Sequence, residues 1–457
     1  MKIHLIGAGG IGVSALARYF LSQGWEVSGS DKSPSPLLQE LKAEGIKIKI
    51  GEQKKNLNPE TDLVIYTRVT PSDNPELQEA RKLRIRTLSY PKALGELTKE
   101  FTAIALAGTH GKSTTTALTA LALLESKMDP TIIVGAKIPQ LGGKNFRLGK
   151  SKYLVVEADE YKDAFLNYYP RAALITNLDR EHLDYFKDLN HVKRSFRKFI
   201  NNLNNNGILV LNKDNTPLSS LGKQLKRKVI WYSLKERVLA QKIKKHLKIP
   251  GEHNLSNALG VYKLARALEV KEKDIFKAFA RYKGAWRRME FRGNLKIEKW
   301  KLKIPVYDDY AHHPTEIKAT LAAFREKFPK SKIVCVFQPH QADRLKKLFK
   351  EFTSAFDDAD ILILLDIFRV AGREYHSKIT SKTLLEVIKK RKKPKEAIYL
   401  PDSRAKTASQ KAKLIKNLVI ENSLETGIWK LEIPPQGAVV VMMGAGDIVD
   451  ITPRLLK

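Results

Sequence analysis

The chain has 457 residues, of which 43% are hydrophobic, and it carries a formal net charge of +33. This length allows about three globular domains, and no apolar run approaches the roughly 20 residues that a membrane-spanning helix needs. The N-terminus lacks the basic, apolar and small-residue layout of a secretory signal, so we expect a cytoplasmic protein without a membrane partner. The basic runs are scattered and contain no nucleic-acid-binding motif, which favours a solvated lysine-rich surface over a nucleic-acid partner.

The chain begins with a nucleotide-binding pattern. An apolar strand, Met1 to Ile6, is followed at once by Gly7-Ala8-Gly9-Gly10-Ile11-Gly12 and a helical pattern, and a second strand ends at Asp31. A GxGxxG fingerprint between a strand and a helix, with an acidic residue about twenty positions on, favours a pyrophosphate at the helix N-terminus. NAD, FAD and a UDP-sugar all fit this pattern. Further alternation of helices and strands predicts a doubly wound domain that ends near Leu97.

A second phosphate-binding pattern follows. The run Gly108-Thr109-His110-Gly111-Lys112-Ser113-Thr114 stands between a short apolar run and the helix-like stretch Ala117 to Glu125. Lys112 is placed to reach the β- and γ-phosphates of ATP, and Ser113 to offer a hydroxyl to Mg²⁺. Leu106 occupies the first glycine position of GxxxxGK[ST], so the turn must be made with the two later glycines. An ordinary glycine turn is the alternative, but the strand, turn and helix setting favours an ATP-type loop.

Two phosphate sites in one chain restrict the class of protein. A nicotinamide dehydrogenase would use the first site, but it would have no function for the second. A nucleic-acid-binding ATPase would use the second and leave the first domain unexplained. An ATP-driven enzyme whose other substrate carries a nucleotide needs both sites.

Acidic residues follow the next two predicted strands. Tyr153 to Val156 runs into Glu157-Ala158-Asp159-Glu160, and Ala172 to Thr176 runs into Asn177 to Asp184, which contains His182. A carboxylate at the C-terminal end of a strand in an α/β sheet faces the ligand crevice, where it can hold Mg²⁺. Solvated loop acids and a structural histidine are the alternatives.

The stretch from Pro250 to Ala258 predicts the start of an amphipathic helix. Asn254 and Asn257 stand one turn apart on it and could offer amide groups to the edge of a base, although capping alone would also explain them. The paired guanidinium groups of Arg287 and Arg288, further along the chain, suit phosphate oxygens.

A third α/β pattern begins near Gly293. Its strand Ile304 to Tyr307 leads into DDYAHHPTEI, its strand Ile333 to Phe337 leads into FQPH, and its last strand leads into MGAGD. Polar residues at successive strand ends should line one edge of the sheet. The single cysteine, Cys335, falls inside the second of these strands, and we expect it to be buried and not a nucleophile.

Together these stretches resemble the Mur ligase family. No single motif is specific, but their order and spacing along essentially the whole chain are: GAGGIG, GSD, DNPEL, AGTHGKSTTT, EADE, ITNLDREHLD, GEHNLSNA, RRM, DDYAHHPTEI, FQPH and MGAGD. The resemblance implies three α/β domains. They are a Rossmann-like UDP-substrate domain (residues 1–98), a central P-loop ATP-binding domain (99–292) and a Rossmann-like amino-acid-binding domain (293–457).

The resemblance implies ATP-dependent amide formation. In this family the muramate carboxylate takes the γ-phosphoryl group of ATP, and an amine then attacks the acyl phosphate, leaving ADP and phosphate. The chain is most similar to the branch that adds L-alanine to UDP-N-acetylmuramate in peptidoglycan precursor synthesis, on which cell-wall biogenesis, cell shape and division depend. The expected cofactors are ATP and Mg²⁺, and the expected state is a monomer or weak homodimer.

The resemblance also assigns residues to roles. The catalytic residues it implies are Lys112, Arg288, Tyr310 and His312. The implied ATP-binding residues are Gly108, Thr109, Gly111, Lys112, Ser113, Thr114, Asn254 and Asn257, and the metal ligands are Ser113, Glu157 and His182. The implied UDP-substrate residues are Gly9, Gly10, Ile11, Gly12 and Asp31, and those for the amino acid are His340 and Arg344.

Two departures bear on the amine substrate. Gln341 stands where a second basic residue usually follows FQPH, so we expect recognition of the amino-acid carboxylate to rest on Arg344 alone. The run EADEYKDAFLNYYP, with Tyr161, is similar to the sister ligase that attaches a murein tripeptide to UDP-N-acetylmuramate. That tripeptide is therefore the alternative amine.

Overall fold

The computed structural model of the chain forms three mainly parallel sheets. The residues it describes are 1–297, 302–368, 379–420 and 437–457. They divide into two compact units, the first of Met1–Lys248 with Leu255–Lys283 and the second of Ile249–Asn254 with Gly284–Lys457. The first unit holds two sheets and the second unit holds one. The predicted three-part α/β class is confirmed.

The first sheet is parallel throughout. Its strands are β1 (Lys2–Ile6), β2 (Glu26–Asp31), β3 (Lys47–Ile50), β4 (Leu63–Tyr66) and β5 (Arg86–Ser89), and its helices are α1 (Ile11–Ser22), α2 (Pro36–Ala43), α3 (Pro75–Lys82) and α4 (Tyr90–Glu100). The strands lie in the order β3-β2-β1-β4-β5. The order reverses between β1 and β4, so the loops that follow these two strands face the crevice where such sheets bind ligands.

The start of α3 shows how local sequence sets an element and its packing. The Asn74 side chain accepts hydrogen bonds from the backbone of the first turn, and Pro75 occupies the first helical position. Glu76 then lies fully buried, where His4 Nε2 is 2.9 Å from its carboxylate and Ser30 Oγ donates to it. These partners satisfy a buried acid that would otherwise be costly, so this part of the DNPEL motif is structural.

The second sheet is built around the strand that precedes the phosphate loop. Its strands are β6 (Thr102–Ala107), β7 (Thr131–Ile138), β8 (Lys144–Arg147), β9 (Tyr153–Glu157), β10 (Ala172–Ile175), β11 (Ile208–Asn212) and β12 (Ile230–Tyr232). The associated helices are α5 (Lys112–Glu125), α6 (Leu189–Asn201), α7 (Thr216–Gly222), α8 (Arg237–His246), α9 (Glu252–Ala267) and α10 (Glu272–Arg281). The order is β12-β11-β10-β6-β9-β7-β8, and only the β7–β8 pair is antiparallel among the described pairings. The central β6 is buried along its apolar run because helices cover both faces of the sheet.

The third sheet lies in the second unit. Its strands are β13 (Glu290–Ile297), β14 (Leu302–Asp309), β15 (Lys332–Phe337), β16 (Ile361–Leu365), β17 (Glu396–Leu400) and β18 (Ala438–Met443). Its helices are α11 (Pro314–Lys327), α12 (Ala342–Lys347), α13 (Phe349–Phe352), α14 (Ser381–Arg391), α15 (Ala408–Ile420) and α16 (Thr452–Leu455). The order is β13-β14-β18-β15-β16-β17, with β13 and β14 antiparallel. The C-terminal ends of β14, β18 and β15 are therefore neighbours at one edge, as the sequence predicted.

Two further expectations concern this region. Cys335 is fully buried in β15, and burial raises the pKa of its thiol, so the predicted unreactive cysteine is confirmed. The domain boundaries near residues 98 and 292 stay predictions, and β13 runs across the second of them. Among the described residues no helix is long and apolar enough to cross a bilayer.

Candidate active site

The phosphate loop joins β6 to α5 in the middle of the second sheet. Gly108 and Gly111 have φ values of 129° and 85°, which L side chains rarely adopt. A Cβ atom at Gly108 would lie 2.0 Å from Thr176 Oγ1, and one at Gly111 would lie 2.6 Å from Asn257 Oδ1. Because neither position has room for a side chain, these two glycines make the turn without the first glycine of the usual pattern.

Lys112, the first residue of α5, folds back over this loop. Its Nζ donates to the carbonyl oxygens of Gly108 at 2.9 Å and Thr109 at 3.1 Å, and to the Glu160 carboxylate at 2.8 and 3.2 Å. Burial lowers the pKa of the Lys112 ammonium, but the negative charges of Glu160, Asp159 and Glu157 and the hydrogen bond to Glu160 together outweigh this effect and raise the pKa. Lys112 therefore stays positive at neutral pH at the point where a phosphate would bind.

The acidic loop after β9 meets the histidine loop after β10 beside Lys112. Ligand atoms of Asp159, Glu160 and His182 all lie within 4.8 Å of one another, and His182 Nε2 is 3.6 Å from Glu160 Oε1. Glu157, a metal ligand implied by the resemblance, accepts a hydrogen bond of 2.9 Å from the N–H of Gly135 in β7. The structure thus adds two carboxylates that the sequence showed only as members of an acidic run.

The segment after β10 also braces the phosphate loop. The Asp179 N–H donates to Thr109 Oγ1 at 2.9 Å, and the Asp179 carboxylate lies 3.1 Å from His110 Nε2. The His110 N–H donates to Asn177 Oδ1 at 2.9 Å. These roles could not be predicted from the sequence, because each contact joins residues that are 67 to 70 positions apart in the chain. These contacts hold the two loops together.

The two candidate adenine-binding asparagines stand near the start of α9, and each is 6% exposed. Asn257 lies against Gly111 of the phosphate loop. Asn254 belongs to the second unit, where its Nδ2 donates to the Pro250 carbonyl oxygen at 2.7 Å. Of the two asparagines, Asn257 is therefore the one that we place beside the phosphate loop.

A pocket of about 320 Å³ opens within the first unit between loops of its two sheets. From the first sheet it is lined by Gly10, Ile11, Gly12, Val13, Thr67, Arg68, Val69 and Tyr90, and from the second by Ile133, Val134, Gly135, Glu157, Asp159, Tyr161 and Tyr168. Three of the predicted UDP-substrate residues lie in this lining. The other two bind one another, since the Gly9 N–H donates to Asp31 Oδ2 at 2.8 Å.

In the second unit, the predicted residues after β14 surround Glu316. His312 Nδ1 lies 3.3 Å from one oxygen of its carboxylate, and Arg288 Nη1 lies 3.6 Å from the other. The Arg288 guanidinium also stands over the Tyr310 ring, 5.3 Å from its centre. Three of the predicted catalytic side chains are therefore neighbours.

A buried carboxylate holds the backbone of this cluster. Asp309, which is 3% exposed, accepts hydrogen bonds from the N–H groups of Met289 at 2.8 Å and Ala311 at 2.9 Å. It therefore ties the strand end that carries Tyr310 to the segment that carries Arg288. In the sequence Asp309 was recognised only as part of a motif, because its bracing role depends on a contact across 20 residues.

The predicted amino-acid residues lie after β15 in the same unit. Arg344 Nη1 donates to the His340 carbonyl oxygen at 2.8 Å, and the side chain is largely buried. The His340 ring stacks on Phe368 with centres 5.5 Å apart and lies 5.9 Å from the His312 ring. The structure thus brings His340 and Arg344 together with the His312 cluster at one edge of the third sheet.

Family models match along nearly the whole chain. They are described as the Mur ligase family catalytic domain at residues 2–102, the Mur ligase middle domain at 106–265 and the Mur ligase glutamate ligase domain at 287–446. The chain belongs to the Mur ligase family. It is therefore a member of a family of ATP-dependent ligases, as its phosphate loop predicted.

Two named relatives are similar in sequence to most or all of the chain. The chain is 38% identical to the UDP-N-acetylmuramate–L-alanine ligase of Acetivibrio thermocellus, with 100% of this chain and 95% of that protein covered. It is 39% identical to the ligase of the same name from Clostridium perfringens, with 82% and 84% covered.

Solved structures show the same fold. The UDP-N-acetylmuramate–alanine ligase of Thermotoga maritima has a TM-score of 0.78 at 26% identity, with 100% of this chain and 98% of that chain covered. A murein peptide ligase from Psychrobacter arcticus, with a TM-score of 0.69 at 23% identity and coverage of 100% and 98%, shares the fold alone.

Proposed function

We propose that this Mur ligase joins L-alanine to UDP-N-acetylmuramate in an ATP-dependent reaction of peptidoglycan precursor synthesis. One observation carries the proposal. The pocket lined by the glycine loop Gly10–Gly12 is also lined by Glu157 and Asp159, and the same acidic loop reaches Lys112 through Glu160. A nucleotide-bearing substrate and the phosphates of ATP would thus bind along one continuous wall of the first unit. The likeness to the murein peptide ligase is one of fold, so L-alanine is the proposed amine.

The first step is transfer of the γ-phosphoryl group to the muramate carboxylate. A carboxylate oxygen attacks phosphorus, the bond from phosphorus to the β,γ-bridging oxygen breaks, and ADP leaves. Phosphoryl transfer depends mainly on positioning and charge neutralisation. Lys112 and the backbone N–H groups of its loop supply positive charge at the phosphates, while the N-terminus of α1 holds the UDP pyrophosphate.

The residues beside Lys112 fit a magnesium ion. Mg²⁺ prefers hard oxygen ligands, and the cluster offers the carboxylates of Asp159 and Glu160, with the Ser113 hydroxyl one residue after Lys112. His182 completes the group, and Glu157 remains a proposed ligand on the pocket side. When bound, the ion would neutralise charge on the transferring phosphoryl group.

The second step is amide formation. The amine nitrogen of L-alanine attacks the acyl carbon, phosphate leaves, and the nitrogen loses a proton to solvent or to the phosphate. We assign His340 and Arg344 to the amino-acid carboxylate, and Arg288, Tyr310 and His312 to the phosphoryl group. A cytoplasmic location and a monomeric or weakly dimeric state remain predictions.

The decisive assay is phosphate release from ATP in the presence of UDP-N-acetylmuramate and one amine at a time. L-alanine is expected to support the fastest release at low concentration, followed by L-serine and glycine. If the murein tripeptide alone supports release, the alternative amine is correct. If no amine does so, the ligase assignment is wrong.

His182→Ala is expected to raise the Mg²⁺ concentration needed for half-maximal turnover, because it removes one side of the metal cluster. Loss of a metal contact of this kind costs about 10- to 100-fold in metal affinity. His246→Ala is the matched control, since His246 also packs against an aromatic ring, with a centre distance of 4.4 Å against 4.6 Å for His182 and Tyr161. An unchanged metal requirement in His182→Ala would make that histidine structural.

Glu160→Gln is expected to strengthen ADP binding in EDTA, because the carboxylate competes with phosphate for Lys112 and repels it. A gain of about tenfold corresponds to about 1.4 kcal/mol. In Mg²⁺ the same variant should bind ADP more weakly than the wild type. Glu125→Gln is the control: Glu125 is also paired with a lysine, at 2.6 Å, but lies at the other end of α5. Calorimetric titration that shows weaker binding of Glu160→Gln in EDTA would contradict the competition.

A further inference from the structure

Arg68 reaches from the first sheet into the acidic loop of the second. It lies two residues after β4, and its Nη2 donates to Asp159 Oδ2 at 2.9 Å while its Nη1 donates to the Tyr161 carbonyl oxygen. The guanidinium also stands over the Tyr161 ring, 5.3 Å from its centre. One side chain therefore holds the residues on both sides of Glu160.

Those contacts bear directly on the metal cluster. Glu160, between the two residues that Arg68 holds, binds Lys112 at 2.8 Å. The Tyr161 ring packs against His182 with centres 4.6 Å apart, and the Tyr161 hydroxyl donates to Asp184 Oδ2 at 2.7 Å. A shift of Tyr161 would therefore displace His182 as well as the backbone of Glu160.

The acidic loop does not hold this shape by local preference. Lys162 and Asp163 have φ values of 49° and 58°, a left-handed conformation that costs energy for residues other than glycine. The Asp163 carboxylate is anchored by the hydroxyl of Tyr185, at 2.6 Å, and that of Ser195. Those bonds fix the far end of the loop to α6 and the segment before it, whereas Arg68 fixes the near end to the loop after β4.

We propose that Arg68 is a positioning residue for metal-bound nucleotide. It holds the acidic loop in the arrangement in which Asp159, Glu160 and His182 face one another beside Lys112. The neighbours of Arg68, Thr67 and Val69, line the pocket assigned to the UDP-substrate. Arg68 thus links the wall of that pocket to the nucleotide site. The inference rests on the proposed function for the identity of the nucleotide and metal.

The test is calorimetric titration of the full chain with ADP, once in Mg²⁺ and once in EDTA. Arg68→Ala is expected to weaken ADP binding in Mg²⁺ about 10-fold, at the lower end of effects seen when a supporting contact to a metal ligand is lost. In EDTA the change should be less than twofold. Arg68→Gln keeps most of the side-chain volume without the guanidinium fork and should behave in the same way, which guards against a folding defect in the alanine variant.

Arg147→Ala is the matched control. Arg147 also donates to an aspartate, Asp129, and to a backbone carbonyl, that of Pro130 at 3.1 Å, within the same compact unit. It should change ADP binding in neither condition. A thermal unfolding midpoint for each variant shows that it is folded before titration.

Three results would overturn the proposal: unchanged ADP binding in Mg²⁺, an equal loss in Mg²⁺ and EDTA, or a loss in Arg147→Ala as large as that in Arg68→Ala. A weaker affinity for UDP-N-acetylmuramate with unchanged Mg²⁺-dependent ADP binding would make Arg68 a substrate contact instead. Failure of the ligase assignment appears separately, as absent phosphate release by the wild-type protein. ADP binding requires no amide formation, so the two failures are distinguishable.

Discussion

Lys112→Ala is expected to remove turnover, with a loss of at least about 10²- to 10³-fold in kcat, as found when a fixed donor to developing charge is deleted. The shape of the loop does not depend on the lysine, because Gly108 and Gly111 make the turn and Thr176 Oγ1 donates to the His110 carbonyl oxygen at 2.6 Å. What the variant loses is the positive charge at the γ-phosphate. The measurement is phosphate release with all three substrates present.

Lys112→Ala also affects the stability of the protein, because Lys112 is paired with Glu160. A second variant separates this effect from the loss of activity. Glu160 is 1% exposed, so Lys112→Ala leaves a buried carboxylate without its cation. Removing one member of a buried pair typically costs about 3 to 5 kcal/mol of folding free energy. Lys112→Ala with Glu160→Gln removes both charges and should restore the unfolding midpoint without restoring activity. Turnover close to that of the wild type in either variant would remove the basis of the proposed mechanism.

The elements that the sequence predicted best are buried central strands. The predicted strands Tyr153 to Val156 and Ile333 to Phe337 match β9 and β15 to within one residue at each end. Both are continuous apolar runs, which a parallel sheet covered on two faces requires. The short strands β8 and β12 were not predicted, because each lies at an edge of the second sheet and has too few residues for a periodic pattern. The interior strands β7 and β11 were not predicted either, so a position at a sheet edge accounts for only part of the misses.

The candidate site also has features that the sequence predicted and contacts that it could not predict. The phosphate loop is contiguous in sequence, so its glycines and lysine could be recognised from spacing alone. The contact between Lys112 and Glu160 spans 48 residues, and the contact between Arg68 and Asp159 spans 91. No local pattern specifies which of the acids after β9 faces the lysine, because loop geometry decides it. The proximity of His182 to Glu160, at 3.6 Å, could likewise not be predicted from the sequence.

The position of the segments after β14 and β15 was predicted from strand ends, whereas the amino-acid roles of His340 and Arg344 are what the family resemblance implies. Segments that follow β14 and β15 had to meet at one sheet edge, and His312 and His340 do lie there, with ring centres 5.9 Å apart. The supporting contribution of Phe368, which stacks on His340, was not predictable, since it follows a different strand, β16. The strand order therefore predicts which segments are neighbours, whereas side-chain packing decides how the histidine rings are oriented.

Arg344→Ala is expected to raise the L-alanine concentration needed for half-maximal turnover by a large factor. Arg344 is 7% exposed, so a carboxylate bound to it would be substantially removed from water. Loss of one member of such a buried pair costs about 2 to 5 kcal/mol, which corresponds to roughly 30- to 5,000-fold. Gln341 carries no charge that could compensate. Arg344→Lys should not restore the affinity, because an ammonium group cannot present the planar fork that matches a carboxylate.

The first half-reaction is expected to survive in Arg344→Ala, because ATP and the UDP-substrate are assigned mainly to residues of the first unit and Arg344 belongs to the second. Borohydride reduction of the acyl phosphate in the absence of amino acid measures this step, and titration of L-alanine in the full assay measures the other. Arg325→Ala is the control within the second unit: Arg325 also binds a carboxylate, that of Asp360 at 2.6 Å, but contacts the segment before β15 instead of the one after it. Normal L-alanine dependence in Arg344→Ala would refute the assignment, and failure to form acyl phosphate would place Arg344 in the phosphoryl-transfer site.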